Sequence, residues 1–336
     1  IRDILSSRGL GDVYKRQIMD KLNDLKNDFL NEFSKIQDLE GPSYLYDPIK
    51  YFVKSPGKRL RPIIVLFLGE IFKNSKEDSI NGALGVELLH NFTLVHDDIM
   101  DEDDLRHNIA TIHKKWDNAH AVLSGDGLGA LGPLFIGKIK KNTLAILIRY
   151  NEVILEICEG QAYDMEFEIK DFVSVSDYLL MSSKKTGSLF ELCFEIASLI
   201  SDKYEENVND LKKLGRSLGV IFQIQDDILE LETDSENMGK DTFSDIERNK
   251  KTILTCLAME KNLSDWKKLI ESTNHEDVSS KKKTIYNFFK ENNLKEESDK
   301  LLADYISQCN DIINELPVEI QGGLNELISY IIKRNK

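Results

Sequence analysis

Six of the eight residues at positions 97–104 are acidic: Asp97, Asp98, Asp101, Glu102, Asp103 and Asp104. On a helix, Asp97 and Asp101 fall one turn apart on the same face, with Asp98 about 100° round from Asp97. Two carboxylates so placed can share a hard divalent cation. Mg²⁺ suits them, because it takes one or two protein carboxylates and completes its shell with water and substrate phosphate oxygens. Taken alone, a DDxxD run is as readily a solvated acidic face. A second run shifts that balance: Asp226, Asp227 and Glu230 follow the apolar Val220, Ile221, Phe222 and Ile224, just as the first run follows Leu88, Leu89, Phe92, Leu94 and Val95. Two buried helices, each ending in carboxylates at i and i+4, predict a cavity with metal-binding groups on both walls.

Cations supply the complementary half, since Lys58, Arg59, Arg61 and Arg106 all lie near these acids in sequence. Gly57-Lys58-Arg59-Leu60-Arg61-Pro62 has too few glycines for a P-loop and lacks its GK[ST] ending. Lys58 and Arg61, three apart, would share a face as a diphosphate clamp, with Arg as the bidentate fork. Such a run by itself is usually surface charge. Beside two carboxylate pairs it points to an anionic substrate, held by cations directly and through metal bridges.

These groups need rigid elements behind them, and the pattern supplies helices. The chain has 336 residues, 41% of them hydrophobic and 30% charged, which is ordinary for a folded protein with a large core. No proline occurs between Pro133 and Pro317, and apolar residues recur there at three- and four-residue spacing. Segments 81–105, 141–169, 175–200 and 207–231 carry that period, with polar linkers near 201–207, 234–245 and 272–280. Alternating strand patterns are nearly absent. The expectation is an all-α fold: one domain of about ten or more helices around a central cavity, spanning residues 19–336. Residues 1–18 precede Met19, are basic and poor in apolar residues, and read as a non-native leader or disordered arm rather than a secretory signal.

The net charge of −14 disfavours nucleic-acid phosphates as a ligand class. No apolar run reaches the ~18 to 20 residues of a bilayer-spanning helix. Cys158, Cys193, Cys256 and Cys309 are far apart without a CxxC, the usage of buried thiols in a reducing, cytoplasmic compartment.

From about Ser55 to the C-terminus the chain resembles the trans-isoprenyl diphosphate synthases, the all-helical polyprenyl synthetase family. His96-Asp97-Asp98-Ile99-Met100-Asp101 through Asp104-Leu105-Arg106 resembles the family's first aspartate-rich motif, and Gln223-Ile224-Gln225-Asp226-Asp227-Ile228-Leu229-Glu230 the second. The stretch from Gly57 to Pro62, Gly160-Gln161 with Asp164, Lys185-Thr186-Gly187, Gly239-Lys240, and Lys250 with Thr252 resemble the remaining motifs in order. The resemblance implies Mg²⁺ on Asp97, Asp101 and Asp226, with Asp98, Asp227 and Glu230 as the further metal-site residues of the two motifs. It implies that Arg106, Lys185 and Lys240 hold an allylic diphosphate, while Lys58, Arg61 and His90 hold isopentenyl diphosphate with His107 beside them, and Lys250 is a further substrate-binding residue. Thr186 and Gln223 would face the reacting carbon. The implied reaction is a head-to-tail condensation by ionisation of the allylic C–O bond, attack by the double bond and loss of a proton. A homodimer is the family expectation, and the glycines Gly125, Gly127, Gly129 and Gly132 suit close helix packing within or between subunits.

Three positions depart from the family pattern. His107 stands where a second Arg is common after the first motif, Glu230 replaces Asp, and Phe243 replaces a frequent Gly. Residues four, five and eight before Asp97, namely Thr93, Phe92 and Leu89, lie one to two turns deeper on roughly the metal-bearing side. An aromatic at the fifth with a smaller residue at the fourth resembles archaeal-type geranylgeranyl diphosphate synthases and implies a C20 product. Farnesyl (C15), mixed C15/C20 and longer products are the alternatives. A class I terpene cyclase is disfavoured because its second motif wants Ser or Thr where Glu230 stands and Glu where Asp234 stands. A calcium loop would want Gly and Glu where Glu102 and Asn108 stand. A non-catalytic partner subunit would have lost one aspartate motif, and both are present.

Overall fold

The computed structural model describes residues 8–232, 250–273 and 275–333. It is all-α, as expected, apart from one two-stranded hairpin. The chain divides into two compact units, one of residues 1–148, 193–208 and 322–327, the other of residues 149–192, 209–321 and 328–336.

The first unit contains α1 (Arg8–Phe33), α2 (Ser43–Val53), α3 (Leu60–Phe72), α4 (Lys76–Met100), the short α5 (Ile112–Lys115) and α6 (Asn118–Ile136). Helix α3 is apolar on nearly every side and buried from Leu60 through Gly69 save Arg61; Pro62 falls in its first turn, where a missing N–H costs nothing. Helix α4 starts at Ser75, whose hydroxyl accepts from the Asp78 N–H, and carries Glu77 and Asp78 in its first turn, where negative charge complements the helix dipole. Glycines let α6 lie close against α4. A Cβ at Gly125 would meet the His96 ring at 2.3 Å, one at Gly129 the Phe92 ring at 3.3 Å, and one at Gly85 the Ile136 side chain at 2.5 Å. Gly125 and Gly129 thus serve close packing within the chain.

The second unit contains most of α7 (Thr143–Ile169), α8 (Val175–Ser182), the start of α9 (Ser188–Ile200), nearly all of α10 (Val208–Glu232), α11 (Ile253–Thr273), α12 (Val278–Glu291), α13 (Leu294–Glu315) and both ends of α14 (Val318–Lys333). Its core gathers Phe167, Tyr178, Ile224, Ile228, Ile253, Trp266 and Phe289. Helix α8 opens with a capping box of Ser174 and Asp177.

Two expected helices end differently. The helix foreseen to residue 105 stops at Met100, and Leu105–Arg106 pairs antiparallel with Ile109–Ala110. The run foreseen at 175–200 is broken by a π-helical turn, Ser183–Gly187. Among the described residues no helix is long and apolar enough to cross a membrane.

Candidate active site

In the first unit Asp97 occupies the last turn of α4 and Asp101 caps it; the Asp101 N–H still donates to the Asp97 carbonyl at 2.7 Å, so the two remain one helical turn apart. Beyond them the helix closes with a Schellman-type cap: Glu102 N–H donates to Ile99 O at 3.3 Å and Asp103 N–H to Asp98 O at 3.0 Å, with Glu102 left-handed at φ 51° where glycine is usual. The chain then enters the hairpin. Its two central residues, His107 and Asn108, both have positive φ, the conformation favoured for two-residue hairpin loops, and His and Asn are among the side chains that tolerate it. His107 is exposed there, whereas Arg106 folds back so that Nε and Nη2 both donate to the buried Asp98 carboxylate at 2.6 Å. Burial alone would lower the Arg106 pKa, but Asp98, with Asp97 and Asp103, raises it.

Near the start of α3, Lys58 is exposed and Arg59 buried, and the half-buried Arg61 places Nη1 3.1 Å from His90 Nε2 on α4. Burial first, and then the charges of Arg61 and Arg106, hold the His90 pKa well below its ordinary value, so the ring is neutral and can take a hydrogen bond from Arg61.

In the second unit the π-helical turn carries Lys185 and Thr186. Lys185 Nζ donates to the buried Asp164 carboxylate of α7 at 2.6 Å, and Lys250 Nζ approaches the same oxygen at 3.8 Å. Thr186 Oγ1 donates to Gln223 Oε1 at 2.9 Å, and Gln223 Nε2 donates to Asp227 Oδ1 at 2.9 Å. The other Asp227 oxygen accepts from the Tyr178 hydroxyl at 2.6 Å and from the Ile253 N–H at 2.9 Å. Asp226, one residue earlier on α10, is exposed. Backbone contact seats the turn. A Cβ at Gly160 would lie 2.3 Å from Lys185 N, and one at Gly219 only 2.5 Å from Gly187 Cα. Beneath it Arg216 donates to the Ser183 carbonyl at 3.3 Å and is itself held by Glu156 at 2.6 Å and by Glu191, with Arg149 bridging both carboxylates.

The family model described as polyprenyl synthetase matches residues 42–289. The chain belongs to that family. This polyprenyl synthetase is 33% identical over 338 residues to the geranylgeranyl diphosphate synthase of Sulfolobus acidocaldarius, covering 97% of this chain and 99% of the relative. It is 32% identical over 258 residues to the geranylfarnesyl diphosphate synthase of Natronomonas pharaonis, covering 71% and 76%. Among solved structures it matches the geranylgeranyl pyrophosphate synthetase of Pyrococcus horikoshii with a TM-score of 0.87 at 29% identity, covering 95% of this chain and 99% of that one. Membership makes it a prenyltransferase.

The residues that sequence reading assigned to this polyprenyl synthetase's site fall into two groups, one in each unit. Lys58, Arg61, His90, Asp97, Asp98, Asp101, Arg106 and His107 lie in the first; Lys185, Thr186, Gln223, Asp226, Asp227 and Lys250 lie in the second. Lys240 and Phe243 lie outside the described residues, and Glu230 is placed only by its position in α10. Asp98 Oδ1 accepts from Arg106, and the two Asp227 oxygens accept from the Tyr178, Gln223 and Ile253 donors, contacts that steady each motif. Phe92 is half-buried, its ring edge-on to His96 at 4.8 Å and over Gly129; Thr93 Oγ1 donates to the His90 carbonyl at 2.8 Å, and Leu89 is fully buried. His96 packs against Gly125, with Nε2 3.3 Å from the Val122 carbonyl. Sequence reading missed Tyr178, Arg216, Glu191 and Glu156, which look in the sequence like ordinary helix-face residues.

Among the described residues no three His, Cys, Asp or Glu side chains converge as a ready-made metal cage. Mg²⁺ needs none, since it binds through one or two carboxylates and keeps several waters. Asp97 and Asp101, half-buried and one turn apart, and the exposed Asp226 are hard oxygen donors of that kind.

Proposed function

We propose that this prenyltransferase joins isopentenyl diphosphate head to tail to an allylic diphosphate of C5 to C15 and releases mainly geranylgeranyl diphosphate. The observation that carries the reading is the Asp97–Asp101 pair, one helical turn apart beside a neighbouring Asp98 already neutralised by Arg106. Asp97, Asp101 and Asp226 would hold Mg²⁺, which when bound offsets charge on the departing diphosphate. Arg106, Lys185 and Lys240 would bind the allylic diphosphate, with Lys250 sharing Asp164 behind Lys185. Lys58, Arg61 and neutral His90 would bind isopentenyl diphosphate, with His107 exposed at the hairpin tip to assist. Thr186 and Gln223, locked to each other and to Asp227, would present fixed oxygens to the carbon that loses its diphosphate. The C–O bond breaks with its electron pair leaving on the diphosphate, the isopentenyl double bond attacks the cation, and a proton is lost to the released diphosphate.

Phe92 would set the floor of the product cavity and so favour C20, its ring restrained by His96 and Gly129. A homodimer is part of the proposal: Leu144, Ile148 and Leu155 form one exposed apolar face of α7 at four- and seven-residue spacing. A cytoplasmic setting accords with four cysteines that are all free thiols.

The test is to incubate the chain with Mg²⁺, labelled isopentenyl diphosphate and, separately, C5, C10 and C15 primers, and to size the products. C20 is expected from each primer that is used, longer products from Phe92→Ala, and none from Asp97→Ala. No elongation from any primer overturns the reading; unchanged product length in Phe92→Ala moves the floor elsewhere.

A further inference from the structure

Between the two cations expected to bind isopentenyl diphosphate, Lys58 and Arg61, stands a third that the site does not use. Arg59 is buried, and its backbone is left-handed at φ 53°, ψ 39°, immediately before α3. A non-glycine residue held in that region needs its surroundings to impose it, and such positions gather where chain direction serves a site. The surroundings are specific here. Arg59 Nη1 donates to Glu87 Oε1 at 2.6 Å, both side chains being under one-tenth exposed. Nη2 donates to the carbonyls of Ser55 at 2.7 Å and Val53 at 3.2 Å, the two ends of the turn leaving α2. Phe33 of α1 lies against the guanidinium at 5.1 Å, and Lys26 Nζ reaches the Gly57 carbonyl at 3.3 Å.

Glu87 sits three residues before His90 on α4. Arg59–Glu87 and Arg61–His90 are therefore two adjacent rungs joining the start of α3 to one stretch of α4. The upper rung is made of two proposed substrate-binding residues; the lower one reaches the Ser55 and Val53 carbonyls.

We propose that Arg59, with Glu87 as its anchor, is a positioning residue for the isopentenyl diphosphate clamp: the buried pair forces the left-handed step that turns Lys58 outward while keeping Arg61 against His90. The inference rests on the prenyl-transfer reading above. Its consequence is selective, because the pair braces the isopentenyl diphosphate clamp.

Removing one partner alone would leave a buried unpaired charge and could unfold the chain, so the decisive variant removes both: Arg59→Met with Glu87→Met, apolar and of similar bulk. Arg59→Lys is the second variant; it keeps a charge for Glu87 but has no fork to span the Ser55 and Val53 carbonyls as well. Wild type is assayed first with Mg²⁺ and C5 to C15 primers, and turnover there separates the reading from the inference. In both variants KM for isopentenyl diphosphate should rise, by about tenfold in the double variant and less in Arg59→Lys, with KM for the allylic diphosphate and the melting temperature little changed. An unchanged KM for isopentenyl diphosphate in either folded variant, or an equal rise for both substrates, overturns the assignment.

Discussion

In the first unit the aspartate beside the proposed metal-binding pair, Asp98, is held by a guanidinium; in the second its counterpart, Asp227, is held by a phenol, an amide and a backbone N–H. The supports differ in the same way. The first group hangs on buried ion pairs, Arg106–Asp98 and Arg59–Glu87, and on a hairpin. The second rests chiefly on close backbone contact at Gly160, Gly187 and Gly219, with one ion pair in the group itself, Lys185–Asp164, and a further ion-pair network at Arg216. A buried ion pair fails all at once, because losing one member strands the other without solvation. A neutral hydrogen-bond chain fails link by link. Glycine contact fails only when atoms are added, and then by an amount set by how far the neighbour can move.

Asp98→Asn probes the first kind of support most harshly. It strips the charge that compensates Arg106, and unfolding by denaturant should show a loss of about 3 to 5 kcal/mol. A loss under about 1 kcal/mol would show that solvent already reaches Arg106 and would erase the contrast. Gly160→Ala comes next. Its methyl meets the Lys185 backbone, which cannot swing aside, so about 3 kcal/mol and a raised KM for the allylic diphosphate are expected. Gly129→Ala is its control in the first unit: there the obstacle is the Phe92 ring at 3.3 Å, a movable side chain, and a cost below about 1 kcal/mol with a shifted product length should result.

Tyr178→Phe removes one of the Asp227 donors and leaves the Gln223 and Ile253 links in place. Denaturation should report about 1.5 kcal/mol, with kcat reduced more than either KM. The last effect concerns pH. His90 is held neutral when folded, whereas an unfolded chain protonates it below about pH 6.5, so the unfolded state binds the extra proton and stability falls as the solution becomes more acid. Each pH unit below about 6.5 should cost up to about 1.4 kcal/mol until the folded-state pKa is reached, a slope that His90→Gln should remove. An identical slope in that variant would assign the acid sensitivity to another group.

The helices were legible because apolar residues three and four apart persist through long proline-free stretches, and the acid pairs because i and i+4 spacing survives folding unchanged at Asp97 and Asp101. The end of α4 was not, since acids at 102–104 continue a helical pattern while Glu102 itself turns left-handed. Lys185-Thr186-Gly187 reads as helix interior, and only the tertiary fit of Gly160 and Gly219 against it makes the π-helical turn. Arg59 shows the same limit from the other side. Its sequence neighbours are cations with the same charge, and nothing local tells that it alone is buried with Glu87.

The acid-bearing ends of α4 and α10 have one more property in common. Neither helix has a basic residue in its last turn, and α4 places Asp97 and Asp98 where the aligned peptide dipoles already present negative potential. Each such carboxylate opposes its own helix by about 0.3 to 1 kcal/mol at an exposed terminus, an opposition that Arg106 offsets at Asp98. A divalent cation arriving there meets ready-made attraction from backbone and carboxylates together. On the proposed reading, the helix end that opposes its own carboxylates is the same end that would attract Mg²⁺.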